Sequence, residues 1–389
     1  MTIQKKKICV VVASRANYGR VKYLLKQLKN SKKIDLKIIA SASLLLFRFG
    51  KAVDILEKDG FKIYKKINYV IDGDDLTAQA KSTGLGIIEL SSAFESLKPD
   101  AVVTVADRYE TLSTAVAASY LNIPLIHIQG GEISGNIDEK VRHAITKLSD
   151  YHFPSTMKSK KRLIQMGEDR NKIFNYGCPA MDVIKNLKIN RKNLLKVQFS
   201  GTGKIIDFSK PYFLILQHSV TTSFGNSFYQ INQILNAVKK FKNFQKLVLW
   251  PNIDAGNDDI SKGIRIFREK NINDNFSYSR NFSPEDYVLI LKYASCAIGN
   301  SSSFIREGSF MGTPSVIVGD RQIGREHGNN ILFSKYDHKD IIKKINMQIS
   351  NKLKNKKSNI FGNGNASKYI CKKIEKINFN NTSKKFFDI

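Results

Sequence analysis

Carboxylates that could exchange protons follow two apolar runs in the first third of the chain. Asp107 comes directly after one run, and the next run is followed by Gln129, two glycines, Glu132 and then Asp138, with a histidine close by. Carboxylates beside an imidazole are the groups from which general acid and base roles are drawn. Taken alone, Asp107 could equally cap the helix that follows it. Their clustering after consecutive apolar runs favours an acid–base site.

A second group of residues suits the binding of phosphate. Arg15 stands between the first apolar run and a helix, and Ser301 and Ser302 open a later helix. Helix N-termini offer unpaired N–H groups and the positive end of the helix dipole, and guanidinium groups bind phosphate oxygens in pairs. Each signal is weak alone, because an arginine at a turn or a lone histidine such as His218 is often structural. Seven such loops in two halves of the chain predict a shared site.

One pattern separates these loops: an apolar run of strand length, a turn containing Gly or Ser, and a segment with helical periodicity. This pattern is typical of parallel sheets covered by helices. The predicted strands are residues 8–13, 36–40, 101–105 and 124–128 in the first half, and 212–216, 247–250, 297–298 and 315–318 in the second. Ligands of such sheets bind at the carboxyl ends of the strands, where the loops lie.

The expected fold is therefore α/β, with two Rossmann-like domains that face each other across a cleft. A chain of 389 residues is long enough for two separate cores. We expect an N-terminal Rossmann-like domain with the catalytic carboxylates in residues 1–185 and a polar, basic linker in residues 186–210. A C-terminal Rossmann-like nucleotide-binding domain would occupy residues 211–365, followed by a helix and tail in residues 366–389.

Composition narrows the class of protein. The net charge is +29, but the lysines are scattered along the chain without an aromatic stripe, so we expect no nucleic-acid partner. The four cysteines lack metal-ligand spacing, which predicts no metal and reduced thiols in a cytoplasmic protein. The apolar run at residues 8–13 is too short to cross a membrane, so no membrane partner is expected.

Taken together and in order, these segments resemble the hydrolysing UDP-N-acetylglucosamine 2-epimerases of sialic acid and legionaminic acid biosynthesis. The resemblance extends over about residues 8–330. It is most specific in three blocks, which run from Asp107 through the Gly-Gly-Glu turn to residue 148, over residues 250–256, and from residue 299 to residue 325.

The resemblance implies a GT-B-like architecture with a UDP-sugar in the cleft, no cofactor, and a homodimer or homotetramer. It also implies the reaction, in which UDP is eliminated from UDP-N-acetylglucosamine and the resulting glycal is hydrated to N-acetylmannosamine. By position, Asp107 and Asp138 match family carboxylates of acid–base function, and His218 matches a histidine that also approaches the phosphates. The implied nucleotide contacts and cleft-lining residues are Arg15, Arg108, Asn252, Ser301, Ser302, Glu307 and Arg321.

Two positions in the Gly-Gly-Glu region need a separate interpretation. Some members of the family have a glutamate of acid–base function in place of Gln129. An amide does not exchange protons near neutral pH, so Gln129 could only orient the substrate or water. Glu132 or Asp138 would then supply the base, although a structural role for Glu132 is equally open.

Four alternatives follow from the same sequence. The donor could be UDP- or GDP-linked N,N'-diacetylbacillosamine, on the path to legionaminic acid. A non-hydrolysing epimerase would keep the nucleotide on the sugar. A GT-B glycosyltransferase would share the fold and the nucleotide site but need an acceptor. A basic nucleic-acid-binding module would bind with a steep salt dependence.

Overall fold

The computed structural model describes residues 4–350, 357–379 and 383–388. The first half of the chain forms a parallel sheet whose strand order is β3-β2-β1-β4-β5-β6. Its strands are β1 (Lys6–Val12), β2 (Ile34–Ser41), β3 (Lys65–Ile67), β4 (Ala101–Val105), β5 (Leu125–Ile128) and β6 (Tyr151–Phe153). The helices of this half are α1 (Arg15–Asn30), α2 (Val53–Lys58), α3 (Leu76–Leu97), α4 (Tyr109–Tyr120), α5 (Asp138–Leu148), α6 (Met157–Gln165) and α7 (Ala180–Asn186).

The second half forms a separate sheet with the order β13-β12-β11-β8-β9-β10-β7, in which only the pairing of β7 with β10 is antiparallel among the described residues. Its strands are β7 (Thr202–Gly203), β8 (Tyr212–Leu216), β9 (Gln245–Leu249), β10 (Phe276–Ser279), β11 (Cys296–Gly299), β12 (Ser315–Val318) and β13 (Ile331–Ser334). The helices are α8 (Arg191–Leu194), α9 (Ser227–Lys239), α10 (Asn257–Lys270), α11 (Pro284–Tyr293), α12 (Ser302–Met311), α13 (His338–Ser350) and α14 (Ala366–Lys376).

In both sheets the strand order reverses at the centre, as expected for a Rossmann-like architecture. The central strands are short and buried on both faces, and apolar side chains fill both sides of each sheet. Such strands need continuous apolar runs, which is why the predicted strands are present. The order switches between β1 and β4 in the first sheet and between β8 and β11 in the second. The carboxyl ends of strands at these switch points are where ligands of doubly wound sheets bind.

The chain crosses between the two halves twice. Residues 186–210, expected as a linker, contain α8 and the edge strand β7 of the second sheet. At the other end, α14 returns to the first half and packs on α1, with Ile370 and Ile374 in the first core. The carboxylate of Asp182 on α7 accepts the backbone N–H groups of Ala366 and Ser367 at the start of α14, at 3.0 and 2.6 Å. This return helix ties the halves together.

Candidate functional site

A cavity lies between the two sheets, where the loops after the switch-point strands meet. The loop after β4 contributes Asp107 and Arg108, the loop after β8 contributes His218, and the residues after β11 contribute Ser301 and Ser302. The cavity lining also includes the other predicted residues Arg15, Asp138, Asn252, Glu307 and Arg321. Residues that are far apart in the sequence therefore meet in one cleft, as the strand-end argument predicts.

Asp107 is held by arginines rather than by the helix that follows it. The N-cap of α4 is Arg108, and the carboxylate of Asp107 instead pairs with the fully buried guanidinium of Arg142 on α5. Arg325 approaches the same carboxylate at 3.9 Å. Burial opposes ionisation, yet the charges of Arg142 and two further arginines hold the pKa of Asp107 well below its usual range. Asp107 is therefore ionised near neutral pH, and it is not the N-cap of α4.

Asp138 has the opposite electrostatic environment. It begins α5, lines the cavity and is 15% exposed. Burial, together with the negative charge of nearby Asp107, raises the pKa of Asp138 to about 6, although the guanidinium of Arg321 lies 3.4 Å away. Two neighbouring carboxyl groups whose pKa values are driven apart are the usual mark of divided acid–base roles. Asp138 is thus the carboxylate of this pair that can take up and release a proton near neutral pH.

His218 is held in one orientation by hydrogen bonds from two sides. Its ring Nδ1 accepts the backbone N–H of Asn252 at 3.1 Å, so in the neutral ring the proton is on Nε2. The side chain of Asn300 accepts the backbone N–H of His218 and donates to its carbonyl, both at 2.8 Å. Burial and the charges of nearby arginines lower the pKa of His218 well below its ordinary value. The ring is therefore a neutral hydrogen-bond donor at neutral pH.

Arginines give the cavity its positive charge. Six of them line it, against three carboxylates, and they are Arg15, Arg20, Arg108, Arg306, Arg321 and Arg325. Nη1 of Arg20 and Nε of Arg321 are buried and have no hydrogen-bond partner among the described residues. Buried N–H donors are normally paired, and guanidinium groups pair best with carboxylate or phosphate oxygens. The cavity is therefore suited to an anionic ligand such as a diphosphate.

The start of α12 adds hydroxyl groups to this anion site. Ser301 is the N-cap of the helix, and its side chain accepts the N–H of Ser303. Ser302 receives hydrogen bonds from Arg306 at 2.9 Å and from Arg20 at 3.4 Å. A helix N-terminus with hydroxyl and guanidinium donors around it binds phosphate groups. Arg15 begins α1 in the first half and reaches across to the second half, where it donates to the carbonyl of Arg280 at 2.6 Å.

Arg108, another predicted nucleotide contact, forms an ion pair that connects the two halves. Arg108 pairs with Glu110 of its own half and with Asp254 of the other half, both at 3.1 Å. Asp254 belongs to the same loop as Asn252 and also lies 3.9 Å from Arg321. Glu307 lines the cavity from α12. These ion pairs place the loop after β9 against the loop after β4.

Gln129 and Glu132 do not line the cavity. The amide nitrogen of Gln129 donates to the sulfur of Cys178 at 3.0 Å, and its backbone has a positive φ of 69°. Glu132 is buried, with its carboxylate 3.5 Å from both Arg306 and Arg325. Burial would raise the pKa of Glu132, but these arginines lower it below the ordinary value. This geometry favours Asp138 over Glu132 as the base.

Several cleft residues had no role assigned from the sequence, among them Arg20, Arg306, Arg325 and Tyr287. Arg20 follows Arg15 by five residues near the start of α1, and two arginines in the first turns of a helix at a strand end are a signal that could have found it. The other three come from separate elements of the second half, and the packing of these elements is what brings them together.

Known proteins are similar to this chain over nearly its whole length. Residues 26–375 match the UDP-N-acetylglucosamine 2-epimerase family. The chain is 36% identical over 340 residues to the GDP/UDP-N,N'-diacetylbacillosamine 2-epimerase (hydrolyzing) of Campylobacter jejuni, which covers 87% of this chain and 86% of the relative. It is 33% identical over 362 residues to the UDP-N,N'-diacetylbacillosamine 2-epimerase (hydrolyzing) of Legionella pneumophila, with 93% of each chain covered.

A solved structure shows the same fold. The UDP-GlcNAc 2-epimerase of Neisseria meningitidis, bound to UDP-GlcNAc, matches with a TM-score of 0.78 and 20% identity over 95% of this chain and 100% of that chain. The family match begins within α1 and ends within α14, so it includes every described strand except β1. The chain therefore belongs to the UDP-N-acetylglucosamine 2-epimerase family.

Proposed function

We propose that this protein is a hydrolysing 2-epimerase of a UDP-linked N-acetylated amino sugar. The observation that carries the proposal is the pair of unlike carboxyl groups in an arginine-lined cleft. Asp138 has a pKa of about 6, and Asp107 is kept ionised by Arg142 and other arginines. A proton-transfer group and an anion site are the two things that this reaction requires.

The reaction has two steps. In the first, a base removes the proton from C2 while the bond between C1 and the diphosphate oxygen breaks, which releases UDP and leaves a 1,2-unsaturated sugar. In the second, the oxygen of water adds to C1, and a proton returns to C2 on the opposite face. The sum is one UDP-sugar and one water converted to UDP and the free 2-epimer.

We assign the roles by chemistry and environment. Asp138 acts as the base at C2, because its carboxylate forms near neutral pH and lines the cavity. Asp107 raises the pKa of Asp138 and stays ionised. The neutral ring of His218 donates its Nε2–H to the leaving diphosphate, and this donation strengthens as negative charge develops there.

The remaining donors of the cleft also serve the leaving group. Arg15, Ser301 and Ser302 lie around the anion site and hold the diphosphate, with Arg20 and Arg321 beside them. Glu307, Arg108 and Asn252 contact the rest of the nucleotide. Fixed donors in a water-poor site stabilise developing charge far better than mobile water does.

The relatives favour one donor sugar. Both sequence relatives described above are named for N,N'-diacetylbacillosamine, so we place the UDP-linked form of this sugar first. UDP-N-acetylglucosamine is the second candidate, because the Neisseria enzyme that shares the fold is bound to it. The two donors differ at C4 and C6 of the sugar and not at the reacting C1 and C2. The same catalytic groups would therefore serve either donor.

Product analysis with several donors tests the proposal. The purified protein is incubated with UDP- or GDP-N,N'-diacetylbacillosamine or with UDP-N-acetylglucosamine, and kcat/KM is measured from released nucleotide while proton NMR identifies the sugar. We expect free 2-epimer and nucleoside diphosphate in equal amounts, with the highest kcat/KM for UDP-N,N'-diacetylbacillosamine. A UDP-linked 2-epimer would indicate a non-hydrolysing epimerase. Turnover only with an added sugar acceptor would indicate a glycosyltransferase.

A further inference from the structure

Asp74, in the first half of the chain, reaches across to the start of α10 in the second half. Its carboxylate accepts the backbone N–H groups of Asn257 and Asp258 at 2.9 and 2.8 Å, and the side-chain amide of Asn257 at 2.5 Å. Its carbonyl accepts the N–H of Gly256 at 3.0 Å. Three consecutive backbone N–H groups of the second half therefore donate to a single residue of the first half, and that of Asn257 also donates to the carbonyl of Asp254 at 3.0 Å.

Helix α10 has no side-chain cap of its own. Its N-cap is Gly256, which has a positive φ of 85° and no side chain to accept a hydrogen bond. Helix starts leave N–H groups that need partners, and a carboxylate there also interacts favourably with the helix dipole. Asp74 supplies this cap from the other side of the cleft. Gln79 supports it, because its side-chain oxygen accepts the N–H of Ala255 at 3.2 Å.

The segment that Asp74 fixes is the loop of residues 250–256, which organises the active site. In this loop, the N–H of Asn252 sets the ring orientation of His218, and Asp254 pairs with Arg108 and lies near Arg321. A shift of the loop would therefore move a hydrogen-bond donor and two guanidinium groups together. Asp74 itself does not line the cavity.

We propose that Asp74 is a positioning residue, which caps α10 across the cleft and thereby holds the loop of residues 250–256 against the catalytic groups. The inference deepens the proposed function, but its structural readouts do not depend on turnover. Loss of the cap would weaken the site without removing any group that touches the substrate.

Two substitutions grade the loss of the cap. Asp74→Ala removes both acceptor oxygens of the side chain, whereas Asp74→Asn keeps one of the two, so it can accept from Asn257 or from Asp258 but not from both. Burial raises the pKa of Asp74 to about 6 even though N–H groups donate to it, so little is lost when the charge is removed. The matched control is Asp72→Ala in the same loop, because Asp72 is exposed and pairs only with Arg48 among the described residues.

The experiment combines a local structural readout with kinetics. Hydrogen–deuterium exchange measures protection of the amides of residues 255–258, and the emission of Trp250, the only tryptophan of the chain, reports on the loop directly. Steady-state kinetics with the UDP-linked donors give kcat/KM.

With Asp74→Ala, we expect protection at these amides to fall about tenfold, as the loss of a helix cap implies, together with a shift of the Trp250 emission and a fall of about tenfold in kcat/KM. Exchange elsewhere should stay unchanged. Asp72→Ala should stay within about twofold of the wild type, and Asp74→Asn, which keeps one acceptor oxygen, should fall between the wild type and Asp74→Ala. Unchanged protection in Asp74→Ala, or equal losses in Asp74→Ala and Asp72→Ala, would overturn the proposal. If the wild type turns over none of the donors, the proposed function fails, while the exchange and emission data still decide whether Asp74 holds the loop.

Discussion

Removing the charge of Asp107 should change how the activity depends on pH, because Asp107 raises the pKa of Asp138. A base works only when deprotonated, so kcat/KM of the wild type should fall as the pH drops below about 6. The Asp107→Asn substitution removes one negative charge and leaves the guanidinium of Arg142 without its partner. Both changes favour the ionised form of Asp138. The acidic limb of the profile should therefore move to lower pH.

The size of the effect follows from the pKa of Asp138. The difference between about 6 and the ordinary value of 3.8 corresponds to roughly 3 kcal/mol between the two protonation states. Burial is the largest cause of this rise in the pKa of Asp138, and it persists in the variant. The contribution of Asp107, which is the next largest, is lost. We expect the midpoint of the acidic limb to move down by roughly one pH unit.

The assay is kcat/KM against pH, which reports the free enzyme, for the wild type, Asp107→Asn and Asp138→Asn. Asp107→Asn should shift the limb and lower turnover at neutral pH by at most about tenfold, because a lower pKa makes Asp138 a weaker base. Asp138→Asn should lower turnover by about two to four orders of magnitude and abolish the limb. An acidic limb that stays near pH 6 in Asp107→Asn would refute the coupling of the two carboxyl groups. A limb that survives in Asp138→Asn would refute the assignment of the base.

Three further predictions concern the surroundings of this pair. His218→Ala should lower kcat by about 100-fold in protein that still folds, because a donor to the leaving group is lost, and near-normal kcat would contradict its role. Arg142→Met leaves Asp107 buried without its main partner and should lower the free energy of unfolding by about 3–5 kcal/mol in urea titrations, whereas a loss below about 1 kcal/mol would contradict this. Turnover should survive EDTA, because the six arginines of the cavity supply the positive charge that a leaving diphosphate needs, and inactivation reversed by a divalent cation would contradict it.

Much of the fold could be predicted because buried parallel strands need continuous apolar runs. The strands at residues 101–105, 212–216 and 315–318 match the structure residue for residue. Five strands were missed. Four of them lack such runs, because β3 has the sequence KKI, β6 has YHF, β10 has FSYS and β7 has only two residues, whereas β13 has the short apolar run ILF. These strands lie at or next to the edges of the sheets, and they form because they pair with a neighbouring strand.

Among the described helices, none is long and apolar enough to cross a membrane.

The candidate site was partly predictable for a related reason. Asp107, His218 and Ser301 directly follow strands at the two switch points, so the topology alone brings them together. What the sequence could not show is which arginine pairs with which carboxylate. The pairing of Arg142 with Asp107 separates the roles of Asp107 and Asp138. Likewise, the cap that Asp74 gives to α10 exists only in the packed molecule.

The central claim is that a base removes the C2 proton during elimination and that water is then added. The most direct test is to run the reaction of the wild type with UDP-N,N'-diacetylbacillosamine, and with UDP-N-acetylglucosamine, in D2O without added metal, and to follow the sugar by proton NMR. We predict free sugar inverted at C2, carrying deuterium at C2, and released together with UDP. Free sugar that keeps both its original configuration and its proton at C2 would mean simple hydrolysis of the glycosyl bond and would contradict the account.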